Sequence, residues 1–285
     1  MKTKSIAYQV RKALHEQLSF GESKHQAKQE QKDYIGQIFS KVTFSTYEKE
    51  CIAFGKWCKN EFGCKDIILD RKYVEADLIR NVERGYSPWT VHLRASALAK
   101  LYRCTTNDFS VKLPKRQRAE IKRSRDPTRG FCENKNLVVV DFCKGTGLRR
   151  HELLSLKPTA YVEAENKAFV YVESGKGGKP RYAYVLPEYQ ERVRLCFQNA
   201  LISGKKTVFA KGDIKVRMPV HHYRAIYAQE FYKKICRPIN QVPRTERYYC
   251  RKDKAGLVFD KKALLNVSRS LGHNRCDVVV SNYLY

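Results

Sequence analysis

Five short stretches in the second half of this 285-residue sequence carry side chains able to work on an anion. Arg149 and Glu152 stand three residues apart, on one face of a predicted helix, so the carboxylate can orient the guanidinium. Taken alone, that is also an ordinary surface ion pair. Lys176 and Lys179 sit in Ser174-Gly-Lys-Gly-Gly-Lys-Pro180, a glycine-rich hairpin loop that could equally be a solvated turn. His221 and Arg224 share a face at a helix start after Pro219, while His222 points roughly a quarter-turn away. The free N–H groups of a helix start favour negative charge as well. Leu271-Gly-His273 follows a helix that stops at glycine, and Val278 to Tyr285 carries two tyrosines, Tyr283 and Tyr285, in a setting where tyrosines more often pack than react.

The elements that must position these groups follow from hydrophobic periodicity. Residues 1–42 are polar and Lys/Gln-rich, with weak helical patterning around Ile6, Val10, Ala13 and Leu14, and read as an arm or one leading helix. From Thr43 an apolar face recurs at three- and four-residue steps through Phe44, Tyr47, Cys51, Phe54, Cys58 and Phe62, and Gly63 ends it. A second helix is expected from about Lys72 to Arg84 with Val74, Leu78 and Val82 inward, and a third from Ser87-Pro88 with Val91, Ala95, Leu98 and Tyr102 inward. These make a small helical domain over 43–111. A basic linker over 112–129 then carries Lys112, Lys115, Arg116, Arg118, Lys122, Arg123, Arg125 and Arg129, and a second domain spans 130–285. In that domain the pattern predicts helices at Asn136–Lys144 and Arg149–Leu156, strands at Ala168–Glu173 and Arg181–Leu186, and helices near Glu188–Ile202, Val220–Ile235, Asp260–Leu271 and Cys276–Tyr283.

Charge narrows the function classes. Fifty-six Lys+Arg against 29 Asp+Glu leave +27 at pH 7, an excess that calls for a polyanionic partner. The longest apolar runs, Leu137–Val140 and Val278–Val280, fall far short of the ~20 residues a membrane span needs. The amino terminus lacks the apolar stretch of a secretory signal, so a reducing cytoplasm is expected. None of the ten cysteines stands in C-x-x-C spacing, and His273-x-x-Cys276 has no second pair to complete a zinc site, so no metal site is expected.

Taken in order, Arg149, Lys176, His221-x-x-Arg224, Leu-Gly-His273 and Tyr283 resemble the tyrosine recombinase (phage integrase) family, over about residues 130–285. The resemblance implies a mainly α fold with a small antiparallel sheet: an N-terminal helical core-binding domain followed by a mixed α+β catalytic domain. It implies site-specific cleavage and rejoining of double-stranded DNA through a 3′-phosphotyrosine at Tyr283, without metal or other cofactor, for integration or excision of a mobile element. Arg149 and Arg224 would hold the phosphoryl oxygens, His221 and His273 would add hydrogen bonds, Lys176 would act as general acid, and Glu152 would support Arg149. DNA with inverted half-sites and a homo-oligomer, dimer to tetramer, are the implied partners. A type IB topoisomerase uses the same chemistry, and an inert DNA-binding regulator could share the scaffold. Residues Arg237 to Phe259, rich in Arg, Lys and Tyr, read as an insertion that contacts DNA or another subunit.

Overall fold

The computed structural model describes residues 4–30, 36–117, 126, 128–175, 179–251 and 254–284. The chain forms two compact units, Met1–Arg116 and Gln117–Tyr285.

The first unit is helical: α1 (Ile6–His15), α2 (Lys24–Gln29), α3 (Lys41–Phe62), α4 (Val74–Glu83) and α5 (Pro88–Leu101). The Ser40 hydroxyl accepts from the Thr43 N–H to start α3, and Gly63, at φ 65°, ends it. The predicted α3 stripe buries Cys51, Phe54 and Cys58 completely, whereas Phe62, its last member, is exposed and stacks on Tyr73 with ring centroids 3.9 Å apart. Ser87 caps α5 with Pro88 in the first turn, and Val91, Ala95 and Leu98 have no exposed surface. Val91 and Leu98 each contribute about 1.5–3 kcal/mol by leaving water. The leading segment proves integral, because Ile6, Val10 and Leu14, one per turn of α1, sit in this same core.

Helix α4 corrects the expected stripe. Val74 and Leu78 are buried but Val82 is exposed, because the inward face also carries Asp77 and Asn81. Asp77 accepts from Arg94 Nε at 2.8 Å and Nη2 at 3.2 Å, and from Arg80 Nη2 at 2.5 Å. Arg94 in turn reaches the Glu50 carboxylate at 3.0 Å. This network replaces apolar packing, so removing one partner strands a buried charge. Asp77→Ala should cost about 3–5 kcal/mol in urea denaturation; a loss under about 1 kcal/mol would mean that Glu50 suffices for Arg94.

The second unit is mixed α+β. Helices α6 (Leu137–Thr146) and α7 (Arg150–Leu154) precede an antiparallel sheet β1–β2–β3 (Tyr161–Ala164, Lys167–Val172, Arg181–Tyr184). Helices α8 (Gln190–Ile202) and α9 (Val220–Ile235) follow, then the hairpin β4–β5 (Arg247–Tyr249, Val258–Asp260), α10 (Lys261–Ser270) and α11 (Cys276–Asn282). Phe142, Val140 and Leu153 pack with the inward sheet residues Ala168, Val170 and Ala183 and with Phe197 of α8. A second cluster joins Tyr227 and Phe231 of α9 to Leu264 and Val267 of α10 and Val279 and Val280 of α11. Strand β1 and the β4–β5 pair, absent from the periodicity reading, are short. β1 alternates poorly, with three of its four residues exposed, and turns into β2 through Glu165 and Asn166 at positive φ.

Candidate active site

Both arginines of the predicted site are placed by close backbone turns. α6 ends at Gly147, φ 62°, where a Cβ would stand 2.4 Å from the Tyr227 ring, so only glycine allows α6 to approach α9 this closely. Two residues on, Arg149 opens α7, and its N–H donates to Glu152 Oε2 while its Nη1 donates to Oε1, each at 2.8 Å. The exposed ion pair that this spacing also allowed is therefore a buried one: the Glu152 side chain has no exposed surface.

Arg224 lies one turn into α9 and is 1% exposed. It donates through Nη1 to the Gly147 carbonyl, through Nη2 to the Leu271 carbonyl at 2.5 Å, and through Nε to the Tyr283 hydroxyl at 3.0 Å. Burial, with the Arg149 charge nearby, brings its pKa down to about 10, which leaves it cationic at neutral pH.

His273 follows Gly272, whose φ of 73° stops the chain after α10. Its N–H donates to the Ser268 carbonyl at 2.7 Å, and the Ser268 hydroxyl donates to the carbonyls of His273 and Arg275, winding the turn around one side chain. His273 Nε2 lies 3.1 Å from Arg149 Nη2, 3.3 Å from Arg224 Nη2 and 3.3 Å from the Tyr283 hydroxyl. Guanidinium groups only donate, so Nε2 must accept and the ring proton belongs on Nδ1.

Tyr283 is the residue at which α11 ends, 6% exposed and packed in the α9–α10–α11 core. Its carbonyl accepts from Gln229 at 2.9 Å, and Lys254 donates to the Val280 and Leu284 carbonyls at 2.8 and 2.6 Å. Lys254 belongs to the loop between β4 and β5. The Arg237–Phe259 stretch, expected to reach DNA or another subunit, thus makes these described contacts with the α11 end of its own unit.

Arg149, Arg224, His273 and Tyr283 therefore meet at hydrogen-bonding distance. His221 is exposed on a cleft of about 430 Å³ that Arg149 and Arg224 also line. Partial loss of solvent around the ring lowers its pKa from the ordinary histidine value, and the Arg224 and Arg149 charges add to that. Lys176 and Tyr285 lie outside the described residues, and Lys179 is exposed. Of the basic residues from 112 to 129, Lys112, Lys115, Arg116 and Arg129 are exposed, while Arg118, Lys122, Arg123 and Arg125 lie outside the described residues. A larger groove of about 560 Å³, lined by Leu137, Val138, Ala200 and Phe209, holds none of the site groups.

Sequence reasoning missed Arg181. Its Nη1 and Nη2 donate to the two Glu152 oxygens at 2.8 Å each, and its Nε donates to the Ser270 carbonyl at 2.8 Å. Burial pushes the Glu152 carboxyl up, but the Arg181 hydrogen bonds and charge, helped by Arg149, overcome it and hold the pKa at about 2. A signal existed: Arg181 directly follows the glycine-rich loop and opens a strand, where a long cation can fold back under the hairpin.

No family model matches the chain. Two solved structures of XerH site-specific recombinase are similar to it. The pre-cleavage complex with difH substrate gives a TM-score of 0.55 at 14% identity, covering 99% of this chain and 94% of that one. The post-cleavage complex with palindromic difH gives 0.51 at 15% identity, over 97% and 90%. The fold is that of the tyrosine recombinases. The Tn1549 transposon integrase, in complex with transposon right-end DNA, shares the recombinase fold at a TM-score of 0.50 and 12% identity, over 99% and 95%. A curated protein of Sinorhizobium fredii named as a candidate integrase/recombinase, y4eF, is 31% identical over 122 residues, 39% of this chain. The match spans 48% of that relative's length. Among the described residues of this recombinase fold, no helix is long and apolar enough to cross a membrane.

Proposed function

We propose that this chain is a site-specific recombinase that cleaves and rejoins duplex DNA through a 3′-phosphotyrosine at Tyr283. The observation that carries the reading is the meeting of the Tyr283 hydroxyl with Arg224 at 3.0 Å and His273 at 3.3 Å, beside Arg149. Donors now turned on His273 Nε2 can turn instead to the non-bridging oxygens of a phosphodiester. The Tyr283 oxygen attacks phosphorus in line, its proton passing to His273 Nε2, while Arg149 and Arg224 hold the phosphoryl charge as rigid forks. The 5′ oxygen leaves with a proton from Lys176, whose place on a glycine-rich loop gives it reach and whose pKa neighbouring arginines would lower. His221, at the cleft mouth, hydrogen-bonds the phosphate. The phosphotyrosine bond keeps the energy of the broken linkage, so rejoining draws on no nucleotide.

The partner in this reading is double-stranded DNA with inverted half-sites, bound by two to four copies of the chain; XerH was solved with a palindromic substrate. Integration or excision of a mobile element is the setting, by likeness to the transposon integrase. The test is to recover bound duplexes from a random library and incubate two labelled copies of the selected site with the protein in EDTA. Recombinant strands from the selected site support the reading. Relaxation of any supercoiled plasmid without site preference would support a topoisomerase instead, and binding without cleavage an inert regulator.

In the same reading the 112–129 segment follows the phosphate backbone. Replacing Arg116, Arg118, Lys122 and Arg123 by Gln should flatten the slope of log affinity against log salt by about 0.9 for each phosphate no longer neutralised. An unchanged slope would mean that the segment is merely solvated.

A further inference from the structure

We propose that Arg181 is a positioning residue that keeps the charge of Arg149 available to DNA and holds the surrounding turns in register; the proposal rests on the recombinase reading above. Its side chain is 9% exposed. The two Glu152 oxygens receive four donors at 2.8 Å, two from Arg181 and two from Arg149. Without Arg181, the Glu152 carboxylate would neutralise Arg149, and the pair would present no net charge to a phosphate. With it, one carboxylate lies between two guanidinium groups and the trio keeps one positive charge. The Nη2 edge of Arg149 is then turned away from Glu152, toward His273 at 3.1 Å.

Arg181 also sits between two glycines that leave room for it. A Cβ on Gly175, the residue before Lys176, would stand 2.8 Å from Arg181 Nη1, and one on Gly272, the residue before His273, 3.0 Å from Arg181 Cδ. Its Nε holds the Ser270 carbonyl, at the end of α10. One side chain therefore touches the base of the Lys176 loop, the entry to the His273 turn and the carboxylate behind Arg149. None of its described contacts is with the reacting tyrosine.

The charge role separates from a merely structural one by changing the substrate. A methylphosphonate at the cut position removes one non-bridging charge, so a variant deficient in charge compensation is impaired less on it. Arg181→Met should slow single-turnover covalent trapping about 100-fold on phosphate DNA and less than 10-fold on methylphosphonate DNA, with DNA affinity within about threefold of the parent. Glu152→Gln combined with Arg181→Met should be no slower than Arg181→Met alone, since the residue acts through Glu152. Should Arg181→Met fail to fold, Arg181→Lys carries the same test. It keeps a cation but loses the fork, and should be slowed about 10-fold on phosphate DNA and by less than that on methylphosphonate DNA. Equal slowing on the two substrates, or full activity of the variant, overturns the proposal. A parent protein that forms no covalent product on either substrate would instead overturn the recombinase reading.

Discussion

Tyr283→Phe should bind its DNA site with unchanged affinity and form no covalent product, a loss of at least about 10⁵-fold in trapping. The ring is packed among α9, α10 and α11 and is retained, so folding should hold. Only the hydroxyl that Arg224 and His273 address is removed. The phenolic oxygen is the sole atom removed, and in the proposed reaction it forms the bond to phosphorus. Nicked duplexes that release a short fragment bearing the new 5′ hydroxyl on cleavage make the step irreversible and the readout a band shift in denaturing gels. Residual trapping within tenfold of the parent would assign the nucleophile elsewhere, with Tyr285 the first alternative.

Arg224→Lys should be the next most damaging change, lowering the cleavage rate about 10³-fold, or about 4 kcal/mol in the barrier. The guanidinium spans the Gly147 and Leu271 carbonyls, the Tyr283 hydroxyl and His273 from one planar fork. An ammonium group keeps the charge but cannot meet partners on so many sides. The same substitution should destabilise the second unit by about 1–3 kcal/mol, because buried carbonyls lose their donors. Single-turnover rates and urea denaturation measured on one preparation separate the two effects. A rate within tenfold of the parent would show that the charge alone suffices and that the fork geometry is incidental.

Much of this site was legible because its residues come as short local patterns. His221 and Arg224 share a helix face by spacing alone, Gly272 stops the chain before His273, and Glu152 follows Arg149 by three. What joins the patterns was not legible. Arg181 reaches Glu152 and Ser270 across 29 and 89 residues of sequence, and no periodicity announces such a contact. Lys254 was read only as part of a basic insertion, yet it caps the carbonyls that end α11. In the fold, strong stripes such as Val91, Ala95 and Leu98 held because each turn buries one apolar residue. Val82 failed because α4 turns Asp77 and Asn81 inward to serve Arg94, a buried ion cluster that apolar counting cannot foresee. Strand β1 and the β4–β5 pair were missed because strands of three or four half-exposed residues carry too little alternation.

The most direct measurement is to trap the protein on a nicked copy of its selected site, digest it, and sequence the peptide that carries the DNA. The account predicts a single adduct on the phenolic oxygen of Tyr283, formed in EDTA and absent from Tyr283→Phe. An adduct on Tyr285 or on any serine, or cleavage that leaves no protein on the 3′ end, would contradict it.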